Sequence, residues 1–257
     1  MLITISPAKT LDFSTNKKGD LIQYPVFTEE ADHLIQKLKK LSPKKIASMM
    51  DLSDNLAELN YERFQNWEMP FDPSIAREAL SVFKGDVYLG LEAETLSQKG
   101  KDYLEDHLII LSGLYGVLRP SDSILPYRLE MGRPFKVTPK KKNLYHYWDT
   151  KITDYFNQRS EEENSNLLIN LASNEYFKSI QEKKLRAQVI TPEFKDLKNG
   201  TYKTLSFFAK KARGSMLRYM AEYNINEAEE IKSFDRDGYY FNHSLSTEKK
   251  WVFTRDH

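Results

Sequence analysis

Short apolar stretches and amphipathic stripes alternate along this chain and predict five strands and at least five helices. Apolar residues alternate or run together at 2–6, 108–112, 167–171, 188–190 and 251–253, each the length of a strand. Helical spacing governs 28–40, where Ala31, Leu34, Ile35 and Leu38 share one stripe. Ser42 reads as an N-cap, with Pro43 in the first turn of a short helix through Met49. Further helical patterns cover 53–67, 145–158 and 205–223. No regular strand–helix–strand repeat and no internal repeat is visible. The pattern therefore predicts an α+β class, a single irregular mixed domain over 1–257. The charged runs at 140–142 and 161–163 read as solvated turns.

Three of the predicted strands end in small or polar clusters. The first runs into Pro7, Ala8, Lys9 and Thr10, the second into Ser112, Gly113 and Tyr115, and the third into Ala172, Ser173, Asn174 and Glu175. Sites in open sheets gather beyond the carboxyl ends of strands, where loops are free of packing duty. A shared cleft would collect Ser6, Lys9, Ser112, Tyr115, Arg119, Asp122, Tyr127, Arg128, Glu130, Asn170, Ser173 and Glu175. Within it Lys9, Glu130 and Glu175 are the candidate catalytic acid–base residues for an enzyme acting on a nucleotide or DNA base. The alternative is a set of ordinary strand exits, with Gly and Ser present for turn geometry.

The segment 42–67 has the spacing of a helix–hairpin–helix element. Ile46 and Met49 supply the apolar pair of a first helix, Asp51-Leu52-Ser53 the hairpin, and Ala57 the small packing position of a second helix. Outward-facing amides in such a turn hold one phosphate and read backbone shape rather than base sequence. The usual hairpin has glycines where this chain has Asp51 and Ser53. Ser53 remains a donor, and Lys44 and Lys45 offset the Asp51 carboxylate. A plain helical hairpin serving as scaffold is the competing reading.

On the last helix Phe208, Ala212, Met216, Tyr219 and Met220 share one arc, and Lys210, Lys211, Arg213 and Arg218 occupy the opposite one. No acidic residue lies on that basic arc, which fits a polyanion surface as well as a solvated face. Gly214 among the cations costs about 1 kcal/mol relative to alanine. Close approach of a phosphate, another segment or a neighbouring helix would explain it.

Composition narrows the function classes. The 257 residues carry 38 Lys+Arg against 37 Asp+Glu, so a nucleic-acid partner requires a local concentration of cations. The chain has no cysteine, which removes disulfides, Fe–S clusters and thiol redox sensing. No apolar run approaches the about 18 residues that span a bilayer, and no signal peptide is expected, so the cytoplasm is the expected compartment. His33, His107, His146, His243 and His257 are scattered without ligand spacing. No metal site and no cofactor are expected.

Several longer strings carry a resemblance. Ile5-Ser-Pro-Ala-Lys9-Thr-Leu-Asp12, Phe83-Lys-Gly-Asp86-Val-Tyr88, Leu111-Ser-Gly-Leu-Tyr-Gly-Val-Leu-Arg119-Pro, Pro126-Tyr-Arg128-Leu-Glu130-Met-Gly, Ile169-Asn170-Leu-Ala-Ser173-Asn-Glu175-Tyr and Ala209-Lys-Lys-Ala-Arg213-Gly resemble successive signature segments of the YaaA family. The likeness extends from Met1 to Trp251-Val-Phe253. It implies a fold of the family's own type, with a helix–hairpin–helix element and a positively charged cleft. It also implies binding to DNA, distorted or branched duplex included, and a role in surviving peroxide by limiting unincorporated iron. No firm enzymatic activity comes with it. Carried onto this chain, the hairpin element falls on 46–57 and the basic helix on Lys210, Lys211 and Arg213.

Overall fold

A computed structural model describes residues 1–14 and 21–256. Its centre is β1 (Leu2–Ile5), whose four side chains are all buried, as expected for a parallel strand covered on both faces. Around it lie β2 (Leu108–Ser112), β3 (Gly116–Leu118), β4 (Leu167–Asn170), β5 (Gln188–Lys198), β6 (Thr201–Lys203), β7 (Tyr240–Phe241) and β8 (Lys250–Arg255). The order across the sheet is β7-β8-β5-β4-β1-β2-β3, with β6 paired to β5. All four central pairings, β1 with β2, β1 with β4, β4 with β5 and β5 with β8, are parallel. Antiparallel pairing is confined to β3, β6 and β7 and to two-residue ladders outside this sheet.

The architecture is therefore a mixed α/β domain with a mostly parallel sheet, which corrects the expected irregular α+β class. The crossover from β1 to β2 occupies 6–107 and carries several short helices, so no compact strand–helix–strand unit marks it in the sequence. β5 also outruns the expected 188–190. Past Ile190 it alternates buried and half-exposed positions while switching its partner from β4 to β8, and that alternation includes Pro192, Glu193, Lys195 and Asp196.

Helices α1 (Thr28–Leu38), α2 (Pro43–Met50), α3 (Asp54–Gln65), α4 (Asp86–Leu91), α5 (Gln98–His107), α6 (Leu144–Trp148), α7 (Lys151–Glu162) and α8 (Ser206–Tyr223) supply most of the remaining frame. The stripe expected on α1 is buried in full. Ser42 caps α2 by accepting from the Lys45 amide at 3.4 Å. Between α2 and α3, Asp51 takes a left-handed backbone (φ 57°) and the chain reverses in three residues. Ile46 and Met50 are the residues α2 buries, with Met49 half-buried, so the packing pair is i,i+4 rather than the expected i,i+3. The helix expected over 145–158 is two helices, α6 and α7, because Asp149 leaves the helical region (φ 48°, ψ −115°). No helix among the described residues is long and apolar enough to cross a membrane.

The contact between α4 and α8 explains Gly214. A Cβ on Gly214 would lie 1.8 Å from the Val87 carbonyl oxygen, and one on Gly90 would lie 2.1 Å from the Lys211 carbonyl oxygen. Each glycine thus admits the other helix's backbone, and the neighbour that the basic arc admits at Gly214 is a helix. Gly214→Ala should lower stability by about 3 kcal/mol or more, through overpacking against backbone that cannot yield. The shift in urea midpoint reads this. A stabilised variant, as helix propensity alone would give, would show that the two backbones do not meet.

Candidate functional site: a cationic crevice at the strand ends

Because β4, β1 and β2 are parallel neighbours, their carboxyl ends emerge on one edge of the sheet. The chain moves from β1 to β2 on one side and later returns to β4 on the other, so the β1–β4 boundary is a topological switch point. Ser6 and Ser173 stand there. The Ser173 amide donates to Ser6 Oγ at 2.9 Å, and Ser6 Oγ donates to Ser173 Oγ at 3.2 Å. The Tyr88 hydroxyl, carried on α4, donates to the Ser6 carbonyl at 3.1 Å. The α4–α8 contact therefore fixes one wall of this edge.

The other wall is the irregular segment 125–133. Gly113, at the exit of β2, lies against it so closely that a Cβ there would sit 2.3 Å from the Leu129 carbonyl oxygen. Tyr127 shares a 2.7 Å hydrogen bond with Ser112 Oγ. Glu130 lies between them with a side chain only 5% exposed. Arg128 donates to its Oε1 from Nη2 at 3.0 Å and from Nε at 3.2 Å, Lys9 Nζ lies 3.8 Å from the same oxygen, and Arg133 Nε lies 3.4 Å from Oε2. Oε2 accepts no hydrogen bond. Arg63, from α3, donates to Asn60 Oδ1 at 3.4 Å; burial is the main cause lowering its pKa, and the positive charge of Arg128 adds to the shift. Glu175 is exposed and accepts the Gly132 amide at 2.9 Å, which pins the loop that presents Arg133.

The phenols of Tyr88, Tyr127 and Tyr176 are buried around this edge, and burial is the main cause pushing all three above the ordinary tyrosine range. They stay neutral hydroxyls. The cations that surround Glu130 are then Lys9, Arg128 and Arg133, three against one carboxylate. A buried carboxylate needs cations to remain charged, but this one is surrounded by more than it needs. The arrangement can hold an anion.

Of the expected cleft residues, the structure brings Ser6, Lys9, Ser112, Tyr127, Arg128, Glu130, Ser173 and Glu175 to this edge. Asn170 is there as a turn residue, accepting from the Ala172 amide and donating to Thr191. Tyr115 belongs to the core, packed between Trp67 and Tyr127 with its hydroxyl accepting from the Leu125 amide. Arg119 spends its guanidinium and amide on Asp122, whose buried carboxyl is pushed up to about 6 by desolvation despite those bonds. Arg63, Arg133, Tyr88 and Tyr176 were not singled out from the sequence. Arg63 carried a signal all the same, standing one turn from Asn60 on the face α3 turns inward.

The cations expected on the helices divide. Lys44, Lys45 and Lys211 are exposed, as is Ser53. Lys210 lies 3.9 Å from Asp86. Arg213 is half-buried, and desolvation is the main cause lowering its pKa. Arg218 is a structural residue: it donates to the Leu91 and Glu92 carbonyls and to Thr95 Oγ1, and pairs with Glu222 at 2.6 Å. The basic arc is thus not acid-free, since Glu222 on α8 itself pairs with Arg218 and Asp86 and Glu92 reach it from α4 and its C-cap. Among the described residues no group of three or more histidine, aspartate or glutamate side chains converges as a metal site. His257 lies outside the described residues.

A mixed α/β domain with a mostly parallel sheet and a cluster of cations around a buried carboxylate near its switch point is the class that this geometry defines. A family model described as "Peroxide stress protein YaaA" matches residues 1–245. A UPF0246 protein of Teredinibacter turnerae is 50% identical over 255 residues, covering 99% of each chain. A UPF0246 protein of Shewanella pealeana is 47% identical over 256 residues, covering 100% of this chain and 99% of its own. The chain belongs to the YaaA peroxide stress protein family.

Glu130→Gln tests the electrostatic account, because it leaves Lys9, Arg128 and Arg133 facing one another without their shared carboxylate. It should cost about 3 kcal/mol at low salt, the cost of breaking a buried ion group, and less as ionic strength rises. Urea unfolding at two salt concentrations measures both. A loss independent of salt would indicate packing rather than charge.

Proposed function

We propose that this protein is a cytoplasmic DNA-binding protein that holds the phosphate backbone with little sequence preference and limits iron-driven damage to DNA under peroxide stress. The observation that carries the reading is the surplus of cations at the crevice on a chain whose 38 basic and 37 acidic residues otherwise balance. Outward from the crevice the cations are partly paired, Lys84 with Glu94 at 3.1 Å. Thr10 pairs with Lys84 in a short ladder, and Asp86, two residues on, faces Lys210 with exposed Lys211 beyond. The α2–α3 turn supports a helix–hairpin–helix role through its exposed Lys44, Lys45 and Ser53 and its buried Ala57. Backbone phosphates and turn amides carry no base information, hence the low specificity. Iron held on DNA makes hydroxyl radical there, and a protein on the duplex shields that site. With no cysteine in the chain, the response does not run through its own thiols.

A second reading, an enzyme acting on a nucleotide or DNA base, draws on the Ser6–Ser173 hydroxyl pair beside Lys9 and Glu130. Release of base or phosphate from nucleotides, abolished by Glu130→Gln, would establish it. Full recovery of every nucleotide tried would remove it.

For DNA binding, log K should fall linearly with log salt, by about 0.9 per phosphate neutralised. Reversing two exposed cations, Lys45→Glu with Lys211→Glu, should weaken binding and flatten that slope by about 2. Fluorescence anisotropy with a labelled duplex measures both. Affinity that is the same at low and high salt would sink the reading.

A further inference from the structure

We propose that the crevice between the ends of β1 and β4 is a binding site for a phosphomonoester dianion, the group shared by a nucleoside 5′-monophosphate and the 5′-phosphorylated end of a DNA strand. The proposal rests on the phosphate reading of the same cations and narrows it from an internal diester to a terminal group.

Three observations lead there. The first is charge. Lys9, Arg128 and Arg133 surround the single Glu130 carboxylate at 3.0 to 3.8 Å, three positive charges against one, which leaves two in excess. A backbone diester brings one negative charge, whereas a phosphomonoester carries about −1.5 to −2 at pH 7. The second is convergence. Lys9, Arg128 and Arg133 all approach the two oxygens of one carboxylate, at 3.0 to 3.8 Å, instead of being strung along a track at phosphate spacing. Their contacts with Glu130 use Nε and Nη2 of Arg128 and Nε of Arg133. The Nη1 of Arg128 and both Nη atoms of Arg133 remain as donors, in the fork that suits phosphate oxygens. Lys9, 62% exposed, stands at the mouth.

The third is placement. Mononucleotide phosphates sit outside the carboxyl ends of parallel strands at a switch point, and here that point holds the two serines. With the Ser173 amide and the Ser6 hydroxyl bonded in series, the Ser173 hydroxyl proton has no partner of its own among the described residues. It is a polarised donor to an arriving oxygen.

The test uses the full chain and two DNA hairpins that differ only in carrying a 5′-phosphate or a 5′-hydroxyl at their single open end. The phosphorylated hairpin should bind about tenfold tighter, equivalent to one added charge-assisted hydrogen bond. Deoxyadenosine 5′-monophosphate should compete where deoxyadenosine does not. Ser173→Ala, which removes one donor and no charge, and Lys9→Ala, at the exposed mouth, should each shrink the preference while leaving the hydroxyl hairpin less affected. A preference between hairpins without competition by the nucleotide assigns the site to strand ends, and competition without a preference assigns it to free nucleotides. Equal hairpins and no competition overturn the proposal, while a steep salt dependence of both hairpins would leave the DNA reading standing. Conversely, nucleotide binding seen by calorimetry with neither hairpin bound would keep the site and remove DNA. Silence in every arm ends both.

Discussion

The crevice depends on a carboxylate held nearly out of water and kept there by cations from separate stretches of chain. Lys9 arrives from the exit of the first strand, and Arg128 and Arg133 from the loop that carries Glu130 itself. Burying a charge is costly unless partners surround it, so Glu130 ties these segments into one arrangement. The tie is asymmetric. One carboxylate satisfies the attraction only in part, and the cations' mutual repulsion is relieved by whatever anion enters. The same interaction that organises the loop therefore leaves it short of negative charge.

The sheet decides where that group forms. Parallel pairing of β4, β1 and β2 places three strand exits on one edge, and strand order reverses at β1, where the loops that follow β1 and β4 meet through Ser6 and Ser173. Two glycine contacts then close the walls to backbone distance. Gly113 lets the β2 exit touch the Glu130 loop, and Gly90 with Gly214 lets α4 sit against α8 so that Tyr88 reaches Ser6. In each case the residue type answers to proximity and not to turn conformation. Gly214 is accordingly out of place by helix propensity and well placed by packing.

How much of this could be read in the chain varied with the range of the interaction. The central strands were legible because their apolar runs are short and bounded, and the edge they share follows from small and polar residues after three of them. Ser6, Ser173, Lys9 and Glu130 were accessible by that route. Parallel pairing was not, because the crossover through 6–107 is broken into pieces too short to announce a strand–helix–strand unit. Arg133 was missed for a related reason: it is an ordinary loop residue by local pattern, and only the fold turns it toward Glu130. Arg218 erred the other way. Its place on a basic arc is true of α8 alone, but its guanidinium is taken up by the C-terminal carbonyls of α4, a partner that α8 itself does not reveal.

A nearly neutral chain can hold a polyanion only if its charges are segregated, and here segregation operates at two scales. Exposed Lys44, Lys45 and Lys211 are screened by salt and act at a distance. The crevice cations are partly buried beside tyrosines, where salt screens them less than it screens the surface lysines and geometry counts for more. Long-range attraction of a nucleic acid and short-range selection of one phosphoryl group are thus separable properties of the same molecule. The first follows from how many lysines face outward, and the second from how many donors Glu130 leaves unspent.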